Sequence, residues 1–161
     1  MSLSLPSLVR VLTIVPIVLA LTFTMSAGYT LSPAAPRASA ALISAAKADA
    51  AVAWARSRKG SPYGYGADGP RRFDCSGLTR WVYSRVGRSL PHSSSEQVSR
   101  TERISKENRR RGDLVFFYSR GGIYHVAIYA GRSYIWHASQ PGTPVERVKP
   151  WTSNLFYGRV K

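Results

Sequence analysis

The stretch Phe73-Asp74-Cys75-Ser76-Gly77-Leu78 contains the single cysteine of the chain and marks a change in sequence pattern. Before it, residues 59–70 (KGSPYGYGADGP) are dense in glycine and proline, which predicts a loop. After it, residues 78–86 (LTRWVYSRV) place apolar side chains at helical spacing, which predicts a helix that ends at Gly87. Cys75 therefore stands where a loop enters a helix.

This position favours a reactive thiol. The unpaired N–H groups and the partial positive charge of a helix N-terminus stabilise a thiolate and lower the pKa of a cysteine. The thiolate is the nucleophilic form, and Gly77 would let another chain segment or a substrate approach closely. A buried, unreactive cysteine is the alternative at this point. One cysteine excludes an internal disulfide, a Cys-based zinc finger and an iron–sulfur centre.

Two histidines, His125 and His137, flank a predicted tight turn at Gly131-Arg132. Because the turn lies midway between them, a hairpin would set the two rings nearly opposite each other on one sheet face, with Cβ atoms about 5 Å apart. His125 could then hold the thiol proton, and His137 could orient His125. Structural strand histidines, or a metal site completed by Cys75, are the alternatives. No acid stands near either histidine in the sequence, and His92, in a serine-rich loop, is interpreted as a surface residue.

The order of elements predicts an α+β fold, with N-terminal helices packed on a mostly antiparallel sheet of about five strands. The first helix would bury Leu42, Ala46, Ala50 and Ala53. A capping-box pattern, Ser93-x-x-Glu96, predicts a short third helix. The predicted helices cover residues 41–57, 78–86 and part of 91–100, and the predicted strands cover residues 114–118, 125–130, 134–138, 145–148 and 156–160.

These motifs, in this order and spacing, resemble the NlpC family of bacterial cell-wall cysteine peptidases, a compact branch of the papain-like fold. The resemblance covers about residues 45–160. Its most specific feature is FDCSGL followed by a GDLVFF motif and an HVxIY strand. The matching segments are residues 61–66 (SPYGYG), 73–78 (FDCSGL), 90–91 (LP), 111–117 (RGDLVFF), 125–129 (HVAIY) and 135–138 (IWHA).

The resemblance implies hydrolysis of peptidoglycan stem peptides, usually between D-γ-glutamyl and a diamino acid, without a metal or cofactor. It implies that Cys75 is the nucleophile, His125 the base and acid, and His137 the orienting residue. Tyr63, Asp74 and Ser76 match substrate-binding positions, and Tyr63 would also help to bind the oxyanion. Ala67, Tyr124 and Ala127 stand where the family commonly has glycine, which leaves the effect on substrate preference open.

The first forty residues predict a secretory signal peptide. Arg10 precedes an apolar run, residues 11–25, and the segment ends in Ala38-Ser39-Ala40. We expect cleavage after Ala40, a secreted or envelope-associated protein, and one peptidase domain over residues 41–161. The alternative is an uncleaved membrane anchor, although the apolar run is short for a membrane-spanning helix.

The chain is strongly basic, with 23 Lys and Arg against 8 Asp and Glu in 161 residues and a net charge of +15. Such a surface could bind anionic wall polymers; an ordinary solvated surface is the simpler interpretation. We expect a monomer with no specific nucleic-acid partner. Two other functions remain open: a non-catalytic, basic cell-wall-binding protein on the same fold, and an amidase or acyltransferase with the same thiol chemistry.

Overall fold

The computed structural model describes residues 41–161, so the predicted signal peptide, residues 1–40, lies outside the described part of the chain. None of the helices within residues 41–161 is long and apolar enough to cross a membrane. The three helices and six strands, in chain order, are α1 (Ala45–Ser57), α2 (Cys75–Ser84), α3 (Ser94–Ser99), β1 (Thr101–Ile104), β2 (Leu114–Ser119), β3 (Gly122–Gly131), β4 (Tyr134–His137), β5 (Glu146–Val148) and β6 (Leu155–Val160).

The six strands form one sheet in the order β1-β6-β2-β3-β4-β5, and every neighbouring pair is antiparallel. Helices therefore precede strands along the chain, and the predicted α+β arrangement is confirmed. The sheet has one strand more than expected, because Thr101–Ile104 pairs with β6. This short edge strand has two exposed residues at its centre and so lacks the alternating apolar pattern on which strand prediction depends.

Both faces of the central strands are covered. One face of β3 presents Val126 and Ile128 to the main core, together with side chains of α1 and α2. The other face presents Ala127 and Tyr129 to a smaller cluster with Val115, Phe117, Ile135 and Tyr157. Side chains along a strand point to opposite sides in turn. His125 therefore lies on the same face as Ala127, and His137 on the same face as Ile135, which is the face of the smaller cluster.

The first helix begins later, and buries a different side, than the sequence predicts. The Ser44 hydroxyl caps α1 by accepting a hydrogen bond from the Lys47 N–H. Residues 42–44 therefore lie outside the helix. The buried side consists of Ala48, Ala51, Val52 and Ala55. An alanine-rich helix gives little contrast between its sides, so the packing partners and not the composition decide which side is buried.

Candidate active site

Cys75 is the first residue of α2 and is half-buried, with its side chain against the main core. The thiol has backbone N–H groups around it: those of Cys75 and Ser76 at the helix start, and that of Val126 on β3. Since the Val126 nitrogen is bonded to the carbonyl carbon of His125, the sulfur lies against the backbone of the strand that carries His125. The structure thus places the cysteine where the sequence predicts, at a helix N-terminus facing the sheet.

The Asp74 carboxylate links three parts of the chain next to the thiol. As the cap of α2 it accepts hydrogen bonds from the Gly77 N–H at 2.6 Å and from the Ser76 hydroxyl at 3.2 Å. Its other oxygen accepts from the Gly66 N–H at 2.9 Å. The His92 ring nitrogen Nε2 lies 2.9 and 3.0 Å from the two oxygens. Asp74 therefore fixes the loop and the helix start that together hold Cys75.

His92, which the sequence predicts to be a surface residue, lies in the site. Its side chain is only 24% exposed, because the loop before α3 folds back onto Asp74. The buried Gln97 side chain holds this loop by donating hydrogen bonds to the carbonyl groups of Pro91, at 2.8 Å, and of Ser76, at 3.0 Å. A serine-rich loop gives no sign of such a fold-back. The loop folds back because Gln97, although it belongs to a short polar helix, is buried and binds the loop through these two hydrogen bonds.

Gly77 is required by a close approach of the chain. A Cβ atom at this position would lie 2.2 Å from the Ala67 carbonyl oxygen and 2.8 Å from the Asp68 Cα atom. The loop that includes the Gly66 donor therefore passes directly over the first turn of α2. The prediction that Gly77 admits another chain segment is confirmed.

The two sheet histidines are in direct contact. Nε2 of His125 lies 3.2 Å from Nδ1 of His137, and the ring planes are almost perpendicular. The prediction that the two rings share a face and interact is confirmed. Both side chains are buried.

The register that brings the rings together differs from the predicted one. Arg132 and Ser133 both have positive φ and form a two-residue turn of the kind that joins tightly paired strands. Gly131 pairs with Tyr134 across it, but the next pairs are Tyr129 with Ile135 and Ile128 with Trp136, so Ala130 forms a bulge. Continued along β3, this register puts His137 opposite Ala127 and diagonal to His125. The two histidines, predicted to lie nearly opposite each other, are therefore offset by one step along the same face.

The bulge at Ala130 determines which face His137 occupies. Without it, the pairing of Gly131 with Tyr134 would continue as Ile128 with His137, and the ring would lie on the main-core face. One extra residue on β3 reverses this and returns His137 to the side of His125. The spacing of the two histidines in the sequence does not reveal such a bulge.

An acid lies beside the second ring, although the sequence near either histidine does not indicate one. Glu146 on β5 pairs with His137 across the sheet, and its carboxylate lies 3.8 Å from His137 Nε2. With the proton of each ring on Nε2, His137 Nδ1 accepts a hydrogen bond from the Nε2–H of His125, while His137 Nε2–H faces Glu146 without forming a hydrogen bond within residues 41–161. This leaves Nδ1 of His125 as an unprotonated base. Residues nine apart in sequence meet here because the strands β4 and β5 are paired.

Trp151 covers the histidine pair and was not identified from the sequence. Its ring centroid lies 5.3 Å from that of His125 and 5.5 Å from that of His137, and it stacks on Phe117 at 4.3 Å. Yet its side chain is 52% exposed. It borders a cavity of about 410 Å³ that is also lined by Tyr124, His125, His137, Ser139 and Gln140.

The protonation of the site also differs from the expectation. Burial raises the pKa of the Cys75 thiol above its ordinary value, and the Asp74 charge adds to this, although the surrounding backbone N–H groups act in the opposite direction. Burial lowers the pKa of His125 to about 3 and also lowers the pKa of His137, which Glu146 partly opposes. At neutral pH the site therefore contains a neutral thiol and two neutral imidazoles. The expected low thiol pKa is wrong because burial outweighs the helix N-terminus.

The structure brings the predicted site residues together in two groups, but among the described residues it shows no hydrogen bond between the Cys75 sulfur and an imidazole. Cys75, Asp74, Ser76 and Tyr63 form one group, and His125 and His137 form another. Within residues 41–161 neither imidazole forms a hydrogen bond with the sulfur. The link between the two groups is the backbone N–H of Val126.

Tyr63 lies on the thiol side of the site. Burial raises its pKa, and the charges of Asp74 and Cys75 add to the effect, so its hydroxyl stays protonated and can donate a hydrogen bond. The Ser76 hydroxyl is buried and already donates to Asp74. Of the three positions that depart from glycine, Tyr124 lines the cavity beside the histidines, whereas Ala127 is buried in the smaller core.

Metal ligation has no support in the described part of the chain. Residues 41–161 contain no group of three His, Cys, Asp or Glu side chains arranged to hold an ion.

Comparison with known proteins shows the family of the chain. Residues 60–159 match the model of the NlpC/P60 family. A probable endopeptidase of Corynebacterium glutamicum is 46% identical over 123 residues, which cover 71% of this chain and 58% of the relative; this chain thus spans little more than half of that protein.

Two solved structures are similar across the same region. The NlpC/p60 domain of the peptidoglycan hydrolase SagA has a TM-score of 0.64 and 38% identity, and the match covers 71% of this chain and 98% of that one. RipD of Mycobacterium tuberculosis, described as a non-catalytic NlpC/p60 domain protein adapted to peptidoglycan binding, has a TM-score of 0.61 and 26% identity over 71% of this chain and 96% of its own. The fold is therefore the papain-like one that the resemblance implied, and the chain belongs to the NlpC/P60 family.

Proposed function

We propose that this protein is a cysteine endopeptidase that cuts peptidoglycan stem peptides, with Cys75 as nucleophile and His125 as base. One observation carries the proposal. The thiol at the start of α2 lies against the backbone of β3 beside His125, whose ring contacts His137, and the Glu146 carboxylate lies 3.8 Å from the far nitrogen of His137. A nucleophile, a base and groups that orient the base are the parts that acyl transfer by a thiol requires.

The neutral resting state specifies how the reaction begins. Because neither the thiol nor the imidazole is ionised, Sγ loses its proton to Nδ1 of His125 as it attacks the amide carbonyl carbon. A small movement of the His125 ring toward the sulfur, or of the helix start toward the ring, is needed for this transfer. The positive charge that forms on His125 is then stabilised through His137 by the Glu146 carboxylate.

The rest of the site supplies the remaining steps. Backbone N–H groups at the start of α2 and the Tyr63 hydroxyl stabilise the oxyanion. His125 returns the proton to the leaving amine, and the C–N bond breaks to give a thioester on Cys75. Water, deprotonated by His125, hydrolyses the thioester and restores the thiol. No metal or organic cofactor takes part.

We assign the scissile bond to the one between D-γ-glutamyl and the diamino acid of the stem peptide. Tyr63, Asp74 and Ser76 contact the substrate in this proposal. Asp74 already accepts hydrogen bonds from the Gly66 loop, the start of α2 and His92. Its carboxylate is therefore held in place before a substrate group binds to it. An amidase or acyltransferase would use the same thiol chemistry and differ in the bond or the acceptor.

Residues 1–40 act as a cleaved signal peptide in this proposal, and the mature protein, residues 41–161, works outside the cytoplasm as a monomer, without a specific nucleic-acid partner. N-terminal sequencing of the protein recovered from culture medium should start at Ala41. A chain that starts at Met1 and stays with the membrane would identify the segment as an anchor instead.

A non-catalytic wall-binding protein is the second candidate. The raised thiol pKa and the missing contact between Sγ and an imidazole favour it, and RipD is an example of such a protein on the same fold. The intact set Cys75, His125 and His137 favours the enzyme, because a site without catalysis has no need for all three.

Mass spectrometry of digested muropeptides separates these functions. The purified protein, incubated with soluble muropeptides of known sequence, should release the two fragments expected from cleavage after D-γ-glutamate. Cleavage between the glycan and the first alanine would identify an amidase, and a new amide would identify an acyltransferase. Muropeptides that bind but stay intact would identify the non-catalytic protein.

A further inference from the structure

A basic groove lies between α1 and the β3–β4 hairpin, away from the thiol. Its main cavity has a volume of about 520 Å³, and an adjoining one of about 420 Å³ shares Val52, Arg56 and Arg111 with it. Val52, Ala130 and the nearly buried Trp136 form an apolar base. The two adjoining cavities together form one groove, and this groove is longer than the site that a single small ion would fill.

Four arginines from four separate segments surround the main cavity. Arg56 comes from α1, Arg111 from the segment before β2, Arg132 from the β3–β4 turn and Arg147 from β5. We propose that this groove, defined by Arg56, Arg111, Arg132 and Arg147, binds a phosphodiester-linked anionic polymer of the cell wall and holds the protein on its substrate.

The charge around the groove is largely uncompensated. Asp49 pairs with Arg111 at 3.3 Å, but within residues 41–161 the other three arginines have no carboxylate partner. Residues 1–40 contain no acid, so the signal segment supplies none. Guanidinium groups that surround one cavity repel each other, and an anion between them removes that repulsion. Arginine also matches phosphate geometry by donating two parallel hydrogen bonds.

Several other arginines within residues 41–161 make structural contacts outside the groove. Of the run 109–111, Arg110 donates to the Ile43 carbonyl and Arg109 lies over the rings of Tyr129 and Tyr157. Arg159 pairs with the buried Asp113. In the groove, Arg147 lies over the Tyr134 ring at 4.0 Å, a cation–π contact that positions its guanidinium group.

The backbone at Arg132 supports a functional role. Its φ of 52° lies in the left-handed region, where glycine or asparagine is the usual choice in a turn of this type. An arginine here gives up backbone stability to place a positive charge beside the main cavity. Strained backbone held in this way is common at ligand sites.

A polymer fits the groove better than a membrane surface does. The exposed large apolar side chains of residues 41–161 are Leu42, Trp54, Tyr65, Tyr118, Tyr124 and Trp151, and none of them lines either cavity. A recessed site without protruding apolar groups has nothing to insert into a bilayer. Its distance from the thiol is set by the five residue-to-residue steps of β3 from Val126 to Gly131, about 17 Å at the usual strand rise. A wall polymer could thus stay bound during cleavage.

The test measures binding of a fluorescent poly(glycerol phosphate) chain to the full-length protein by anisotropy, at low and high salt. The groove variant is Arg132→Gln with Arg147→Gln. The control is Arg100→Gln with Arg103→Gln, which removes the same charge at the opposite edge of the sheet, where both side chains are exposed. We expect the groove variant to lose about tenfold or more in affinity, the equivalent of one charge-assisted hydrogen bond, and the control at most about twofold.

A second assay, cleavage of soluble muropeptides, separates polymer binding from peptidase activity. Cleavage of soluble muropeptides should be unchanged in the groove variant, so this binding assay and the peptidase assay can fail separately. Equal losses in the two double variants would overturn the proposal in favour of diffuse charge. Absence of polymer binding, or tighter and groove-dependent binding to phosphatidylglycerol vesicles than to the polymer, would overturn it as well.

Discussion

The imidazole rings of His125 and His137 meet edge to face, with Nε2 of the first 3.2 Å from Nδ1 of the second. This contact leaves Nδ1 of His125 free for a proton. The Glu146 carboxylate lies 3.8 Å from the far nitrogen of His137, where it can stabilise a positive charge on the histidine pair. The base of the proposed reaction is therefore the first member of a three-residue chain across β3, β4 and β5.

Glu146→Gln tests the end of this chain. The amide keeps the size of the side chain but removes the charge that stabilises a protonated histidine pair. General acid–base catalysis contributes about 10²–10⁴-fold in rate, and we expect the variant to lose about tenfold in kcat with little change in KM. Glu102→Gln, an exposed position on β1, is the matched control. Unchanged kcat in the first variant, at equal thermal stability, would show that Glu146 takes no part.

The raised pKa of the Cys75 thiol predicts a slow, alkaline reaction with alkylating agents. Since only the thiolate reacts quickly, the rate of labelling by iodoacetamide should increase with pH and reach its midpoint above 9.0, the ordinary thiol value. The measurement is the mass of the intact protein after timed labelling. A midpoint below 7 would reveal a thiolate already formed, in conflict with a neutral resting site.

The lowered pKa of His125 predicts a loss of stability in mild acid. The folded protein keeps this ring neutral down to about pH 3, while the unfolded chain protonates it near 6.5. Between these values the unfolded state binds more protons, so the free energy of unfolding increases with pH. Urea unfolding at pH 4.5 and 7 should show this increase for the wild type and a smaller one for His125→Gln. The same increase in both would assign the effect to other groups.

Gly77→Ala tests the close approach over the start of α2. In an open helix, alanine is more stabilising than glycine by about 1 kcal/mol. Here the added Cβ would meet the Ala67 carbonyl oxygen at 2.2 Å, and we expect a loss of about 2 kcal/mol or more. Gly121→Ala is the control, because a Cβ there would meet only the Ser119 hydroxyl at 3.9 Å. Stabilisation of the protein by Gly77→Ala in urea unfolding would contradict the structure.

Much of the fold could be predicted because its signals are local. A glycine-rich loop that runs into an apolar helical pattern located Cys75 at the start of α2, and alternating apolar runs located five of the six strands. The edge strand β1 and the buried side of α1 were missed. Both depend on packing partners that are distant in sequence.

The candidate site shows the same division. Cys75 and the histidine pair could be predicted from the sequence, since each belongs to a local pattern. Glu146, His92 and Trp151 could not, because each reaches the site by strand pairing or loop folding that no local sequence pattern marks. The bulge at Ala130 and the effect of burial on the thiol pKa arise only once the chain is packed.

The central claim is that the Cys75 sulfur attacks the substrate, and the turnover of Cys75→Ala on purified muropeptides tests it most directly. With wild-type circular dichroism and urea stability, this variant should lose cleavage by about 10³-fold or more, because no other group of the site can form the thioester. Cleavage of the same bond at a rate near that of the wild type would contradict the account.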